Sequence, residues 1–198
     1  MNLANKITLS RIILTLIIIM LLLFPWYEIG VTFSKYVIND TIVVDLKYII
    51  AGILFVIASL TDYVDGYVAR KYNMITDFGK LMDAISDKIL VNSMLIILAA
   101  SGFIAPIIPV IIVIRDIVVD AIKMKVAASG VTVAAIGSGK WKTACLMLGM
   151  TLTFFYNLPF ELYNLQIADY LLIIATILSL FSMYQYWEKY GRIVLEKK

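Results

Sequence analysis

Four aspartates occur at helical spacing in two neighbouring segments of the chain. Asp62 and Asp65 are three residues apart, and Asp83 and Asp87 are four residues apart. At about 100° per residue, each pair shares one face of an α-helix. Two such faces turned toward each other could hold one divalent cation, or a closely spaced pair, that also binds a substrate phosphate.

Two scarce residue types limit which metals these acids could bind. The chain has no histidine and a single cysteine, Cys145. The commonest general base and transition-metal ligand is therefore missing, and carboxylates must do both jobs. A disulfide framework within one chain is also excluded. We expect a hard, oxygen-bound cation, Mg²⁺ or Mn²⁺.

Small residues and an arginine accompany the acids. Gly66, Ala69 and Gly79 have little or no side chain, so a ligand or another helix can approach the backbone closely at these positions. Arg70 can offer planar, bidentate contacts to a phosphate group. The segment thus combines acids for a metal with features typical of a phosphate-binding site.

The elements that must position these residues are predicted to be membrane helices. Of the 198 residues, 62% are hydrophobic and only 16% are charged, which is typical of a membrane protein. We predict an all-α fold, a polytopic membrane protein with a six-transmembrane-helix bundle, as a single domain over residues 1–198. A turn at Gly102, Pro106 and Pro109 separates the third and fourth spans. The predicted spans are 8–25, 47–70, 78–101, 104–127, 140–159 and 167–188.

Lysines and arginines predict the orientation of the bundle. With a cytoplasmic amino terminus, the outer side receives Lys35 and Lys47, and the other 15 of the 17 basic residues lie on or near the inner side. The protein is therefore expected in the cell membrane, multi-pass, with its acidic site facing the cytoplasm. A nucleic-acid partner is excluded, because the basic residues lie at membrane boundaries without a soluble domain.

The connection between the second and third spans is short, from about Lys71 to Asp77, which predicts that these helices are antiparallel neighbours. Their acidic faces can then meet at the inner membrane edge. Converging carboxylates repel one another, and a bound divalent cation offsets that repulsion. Surface charges at a loop, or the ion path of a transporter, are alternatives that spacing leaves open.

The acidic segment as a whole resembles the signature of a known family. Asp62-x2-Asp65-Gly66-x2-Ala69-Arg70-x8-Gly79-x3-Asp83-x3-Asp87 is similar to the motif of the CDP-alcohol phosphatidyltransferases. Residues 5–11, 76–80, 114–116 and 139–143 also resemble members of that family that use CDP-diacylglycerol and glycerol 3-phosphate. The similarity extends over most of the chain.

The resemblance implies roles for individual residues, six spans, usually as a homodimer, and a cavity open to the cytoplasm. Asp87 would be the catalytic general base. The implied Mg²⁺ or Mn²⁺ ligands are Asp62, Asp65, Asp83 and Asp87. The residues implied to bind the CDP-lipid are Asp62, Gly66, Ala69, Arg70 and Gly79.

The reaction implied by the resemblance is transfer of the phosphatidyl group of CDP-diacylglycerol to glycerol 3-phosphate, giving phosphatidylglycerol phosphate and CMP. One alternative is the same reaction with another acceptor, either phosphatidylglycerol (giving cardiolipin) or inositol phosphate. A second alternative, from a different class, is a divalent-cation transporter.

Basic residues are expected to bind the acceptor's phosphate. Arg115 lies well inside the fourth span, where an unpaired charge is costly, so it needs an anionic ligand or an ion pair with Asp116 or Asp87. The predicted acceptor-phosphate residues are Arg115, Lys140, Lys142 and Arg11. The side chains of Lys140, Lys142 and Arg11 could equally extend toward lipid headgroups.

Overall fold

A computed structural model of the chain describes residues 3–39, 42–71, 77–133 and 136–195. The side chains of residues 3–7, 62–71, 77, 78 and 80 lie outside that description. Within the described ranges the molecule is dominated by six long helices. The prediction is confirmed in that the fold is mostly helical, and a short two-stranded hairpin is also present.

The six helices follow one another with short connections. A 3₁₀ helix, Trp26–Ile29, and a two-stranded hairpin lie between the first two helices, and a second 3₁₀ helix, Phe160–Tyr163, precedes the last. The elements are α1 (Leu3–Leu23), β1 (Lys35–Ile38), β2 (Ile42–Asp45), α2 (Leu46–Lys71), α3 (Asp77–Ala100), α4 (Ile107–Ala128), α5 (Gly137–Phe154) and α6 (Ile167–Leu195).

The helices pack as two connected groups. In the described part of the chain α1 packs against both α2 and α3, while α6 packs against α4 and α5, and α2 joins the groups through α5. The main core contains Phe55, Met94 and Phe154, all fully buried. Among the described residues α1 therefore packs beside both helices that carry the acidic segment.

One end of the bundle is closed by the hairpin and by an aromatic cluster of Tyr48, Phe103 and Tyr156. The antiparallel strands pair from Lys35 with Asp45 to Ile38 with Ile42. The Asp45 backbone N–H donates to the Tyr156 hydroxyl at 2.9 Å, which ties the hairpin to the end of α5. The helix ends that meet here leave the predicted acidic and basic residues at the opposite end.

Several helix ends differ from the ends of the predicted spans. Between the first two spans the chain forms the hairpin, whose four-residue strands are too short to show a clear alternation of side chains. The fifth helix ends at Phe154 rather than 159, because the chain turns at Tyr156 and Asn157, both with positive φ. The sixth helix continues to Leu195, beyond the predicted end of the span at 188.

The described helices differ in how well they fit a membrane. By length and apolar composition, α6 qualifies as a span, and the shorter apolar stretches Thr8–Leu23 and Leu46–Thr61 fall below that length. Exposed apolar side chains follow one face of α6, at Ile173, Ile177 and Leu180. That face is suited to contact lipid.

Candidate functional site

The described half of the acidic site lies at the start of α3. Asp83 and Asp87 are one helical turn apart, and Gly79 precedes Asp83 by another turn. The carboxylate of Asp83 is half-exposed. The Asp87 carboxylate interacts electrostatically with the ammonium groups of Lys88 and Lys142. Positive charge from α3 and α5 therefore lies near Asp87.

A buried arginine of α1 holds the first of these acids. The Arg11 side chain is fully buried, and its Nη1 donates to Asp83 Oδ1 and to Ser86 Oγ, both at 3.1 Å. Thr8 and Thr15, on the same face of α1, are also buried. This polar face explains why α1 packs against α3 at the level of the acids. Arg11 thus binds a predicted metal ligand and does not line the cavity between α4, α5 and α6.

The remaining signature side chains lie outside the described part of the structure. The backbone of α2 includes Asp62, Asp65, Gly66, Ala69 and Arg70, but their side chains are not described. Whether the four carboxylates converge therefore stays a prediction. Among the described side chains, no three of histidine, cysteine, aspartate and glutamate form a metal cluster.

The described donors fit the metal expected from the sequence. Asp83 and Asp87 offer carboxylate oxygens from one helix face, which suit Mg²⁺ or Mn²⁺ rather than a softer metal. The half-exposed carboxylate of Asp83 remains accessible although Arg11 binds one of its oxygens. With the acids of α2, these residues would complete an all-oxygen site.

A second feature at this end of the bundle is a cavity of about 570 Å³ between α4, α5 and α6. Its cationic lining residues are Arg115 and Lys123 of α4 and Lys140 of α5. Thr143 and Tyr186 add a hydroxyl and an aromatic ring to the wall. Three cations around one cavity of this size are suited to bind a small phosphorylated molecule.

An aspartate neutralises the buried cations next to this cavity. Arg115 Nη1 donates to Asp116 Oδ1 at 2.9 Å, and Lys142 Nζ donates to the same oxygen at 3.0 Å. Arg115 and Lys142 are both buried. Ser182 of α6 accepts a further hydrogen bond from Arg115 Nε at 3.1 Å. The Arg115–Asp116 ion pair that the sequence left open is thus present.

The predicted acceptor-phosphate residues fall into three places. Arg115 and Lys140 line the cavity together. Lys142 is bound by Asp116 beside it, and Arg11 is bound by Asp83 on α3. The cavity is therefore built around two of the four, and the roles of Lys142 and Arg11 toward an acceptor stay predictions.

Two cavity residues were missed as site residues in the sequence. Lys123 follows Arg115 by two turns, and its spacing placed it on the polar face of the fourth span, but it was not among the predicted acceptor-phosphate residues. Tyr186 lies within the long apolar α6, and its ring lies 5.2 Å from Lys123 Nζ. The available signal was Ser182 four residues earlier, which places a polar group on the same face of α6.

The structure thus combines a helical bundle, two acids on α3 and a cationic cavity between α4, α5 and α6. Comparison with known proteins identifies the class of this chain. A model of the family described as CDP-alcohol phosphatidyltransferase matches residues 1–183, so the chain belongs to this family. The resemblance inferred from the signature is confirmed. As a member of this family the chain is a transferase. The family is membrane-bound and generally depends on a divalent metal.

Relatives within the family cover nearly the whole chain. A Bacillus subtilis protein named CDP-diacylglycerol–glycerol-3-phosphate 3-phosphatidyltransferase is 38% identical over 190 residues, covering 95% of this chain and 94% of its own length. A Rickettsia typhi protein of the same name is 31% identical, covering 94% of this chain and 96% of its own length. A third, from Haemophilus influenzae, is 36% identical over 142 residues, 69% of this chain and 75% of its own.

Proposed function

We propose that this protein transfers the phosphatidyl group of CDP-diacylglycerol to glycerol 3-phosphate, giving phosphatidylglycerol phosphate and CMP. The observation that carries the choice of acceptor is the cavity between α4, α5 and α6 that is lined by Arg115, Lys123 and Lys140. A phosphate on the acceptor would add negative charge beside these three cations, of which Arg115 is already paired with Asp116. The relatives from Bacillus subtilis and Rickettsia typhi are named for glycerol 3-phosphate as the acceptor, which agrees with this choice.

Asp87 is proposed as the general base. It would accept the proton of the acceptor hydroxyl as that oxygen attacks the lipid-side phosphorus, while the bond from phosphorus to CMP breaks. The ammonium groups of Lys88 and Lys142 interact electrostatically with Asp87, so positive charge lies close to the proposed base. Because a carboxylate is a weak base toward an alcohol, alignment and electrostatics must supply most of the acceleration.

The metal is proposed to be Mg²⁺ or Mn²⁺, held by Asp62, Asp65, Asp83 and Asp87. When bound, it would neutralise the pyrophosphate and favour departure of CMP. Arg11 holds the Asp83 carboxylate from the α1 side, which limits the orientations that this acid can adopt. Gly79, one turn earlier, would leave room for the CDP moiety.

The CDP-lipid is proposed to lie along Gly66, Ala69 and Arg70 of α2 and Gly79 of α3. The small residues would allow the nucleotide close to the backbone, and Arg70 would contact a phosphate. The acceptor would approach from the α4–α6 side, where Arg115 and Lys140 bind its phosphate. This arrangement delivers the two substrates to the acids from opposite sides.

The membrane arrangement is proposed to be six spans with this site facing the cytoplasm. Apolar side chains are exposed on several helices, for example at Leu16, Ile57, Ile117 and Ile177. Removing such surface from water by contact with lipid is favourable, which supports multiple spans. A homodimer is the arrangement expected from the family resemblance.

The experiment that tests this proposal is CMP release by the purified protein in detergent micelles containing CDP-diacylglycerol. Glycerol 3-phosphate, phosphatidylglycerol, inositol phosphate and glycerol are offered in turn, with Mg²⁺, with Mn²⁺ or with EDTA. We expect CMP release with glycerol 3-phosphate and either metal, and a loss of release with EDTA. Faster release with another acceptor would overturn the acceptor assignment.

A parallel measurement separates the transferase from the transporter. Protein reconstituted into liposomes is tested for uptake of Mn²⁺ by quenching of an enclosed dye, with protein-free liposomes as the control. A transferase gives CMP without metal uptake. Metal uptake without CMP release from any acceptor would contradict the proposed reaction class.

A further inference from the structure

Helix α6 contacts the acceptor cavity at several points along one face. Ser182 Oγ accepts hydrogen bonds from Arg115 Nε at 3.1 Å and from Arg115 Nη2. One turn later the ring of Tyr186 lies 5.2 Å from Lys123 Nζ, within the range of a cation–π interaction. Both cations of α4 that line the cavity are thus bound by α6.

The same face also contacts the start of α5. Gln185 Oε1 accepts a hydrogen bond from Ser138 Oγ at 2.6 Å. Ser138 precedes Gly139 and Lys140, which line the cavity. The turn that brings Lys140 into place is therefore tied to α6.

From these contacts we infer that the α6 face formed by Ser182, Gln185 and Tyr186 positions the cations of the cavity and sets the affinity for the acceptor's phosphate. The inference rests on the proposed function. This face lies outside the acidic signature of residues 62–87, so it can influence the acceptor without altering those acids.

The geometry explains why fixing these cations matters. Arg115 and Ser182 are both buried, so the hydroxyl is a built-in partner that limits the guanidinium to one orientation. A guanidinium held in advance loses less freedom when it binds a phosphate. Since Ser182 and Tyr186 act through Arg115 and Lys123, they are positioning residues.

The test compares Ser182→Ala with Ser179→Ala in the CMP-release assay. Ser179 lies one turn earlier on α6 and is also fully buried, but its hydroxyl has no hydrogen-bond partner among the described residues. Ser182→Ala is expected to raise the KM for glycerol 3-phosphate about tenfold with little change in kcat, since a bond to a charged group is lost. Ser179→Ala is expected to keep the wild-type KM.

Substitutions of Tyr186 give an independent readout. Tyr186→Leu removes the aromatic ring and should raise the KM for glycerol 3-phosphate about tenfold, while Tyr186→Phe keeps the ring and should raise it less. The KM for CDP-diacylglycerol should stay within about twofold in both, because only the acceptor side is altered. If Ser182→Ala does not fold, the comparison of Tyr186→Leu with Tyr186→Phe tests the inference by itself.

The outcomes separate the inference from the function on which it rests. If the wild-type protein uses glycerol 3-phosphate but Ser182→Ala and Ser179→Ala share one KM, and Tyr186→Leu matches Tyr186→Phe, the inference is overturned and the function stands. A fall in kcat with unchanged KM would also overturn it. If the wild-type protein releases no CMP with glycerol 3-phosphate, the proposed function fails and the inference fails with it.

Discussion

Replacing Asp116 by asparagine should destabilise the protein strongly. Asp116 Oδ1 accepts from Arg115 at 2.9 Å and from Lys142 at 3.0 Å, and the three side chains are 13%, 10% and 7% exposed. Asparagine keeps the shape but removes the charge that neutralises both cations. Breaking a buried pair by removing one partner costs about 3–5 kcal/mol. For a chain of this size that is a fall in unfolding temperature of about 6–20 °C.

The matched control is Asp120→Asn, one turn later on α4. Asp120 forms an ion pair with Lys88, and its side chain is 35% exposed against 39% for Lys88. Solvent screens this pair, so the same substitution should cost only about 0.2–1 kcal/mol, or less than about 4 °C. The chemical change is identical, so the difference between the variants measures burial together with the second cationic partner of Asp116.

The assay can use the single cysteine of the chain. Cys145 lies in α5 and packs against the main core, so a fluorogenic thiol dye should report its exposure during heating. Adding Lys142→Met to Asp116→Asn should cost less than the sum of the single changes, because the two residues share one bond. Equal temperature shifts for Asp116→Asn and Asp120→Asn, or strict additivity of the pair, would refute the reasoning.

Three further predictions concern the site and the helix packing. Asp87→Asn should lower kcat about 10²- to 10⁴-fold while equilibrium binding of labelled CDP-diacylglycerol persists, and near-normal turnover would remove Asp87 as the base. Lys140→Ala should raise the KM for glycerol 3-phosphate about tenfold, whereas Lys125→Ala, outside the cavity lining, should leave it unchanged in the CMP-release assay. Gly149→Ala would place a Cβ 2.9 Å from Leu172 Cδ2, so thermal unfolding should show a loss of about 1–3 kcal/mol, and an unchanged unfolding temperature would contradict the tight α5–α6 packing.

The helices could be predicted from the sequence because apolar composition and turn residues mark them directly. The turn at Gly102, which has positive φ, separates α3 from α4 as expected. The hairpin could not be predicted, because two strands of four residues with mostly exposed side chains carry little alternation. The end of α5 was misplaced for a related reason, since the turn at Tyr156 and Asn157 lies within an apolar run.

In the site, too, features set by local spacing could be predicted from the sequence, whereas features set by tertiary contacts could not. The spacing of Asp83 and Asp87 was sufficient to place them on one face of α3. The partner of Arg11 was not predictable, because the residue that it binds is 72 positions away in the chain. Likewise, nothing local to Tyr186 indicates that its ring meets Lys123 of α4. Such contacts depend on how the helices pack, which periodicity alone does not determine.

The most direct test of the proposed reaction follows the acceptor into its product. Purified protein, CDP-diacylglycerol and Mg²⁺ are mixed with glycerol 3-phosphate labelled with ¹⁴C in its glycerol carbons, and the lipid is then extracted. The account predicts that label enters a phospholipid bearing a terminal phosphate, in equal amount to the CMP released, and that EDTA prevents both. Label that stays in the aqueous phase while CMP is released would contradict glycerol 3-phosphate as the acceptor.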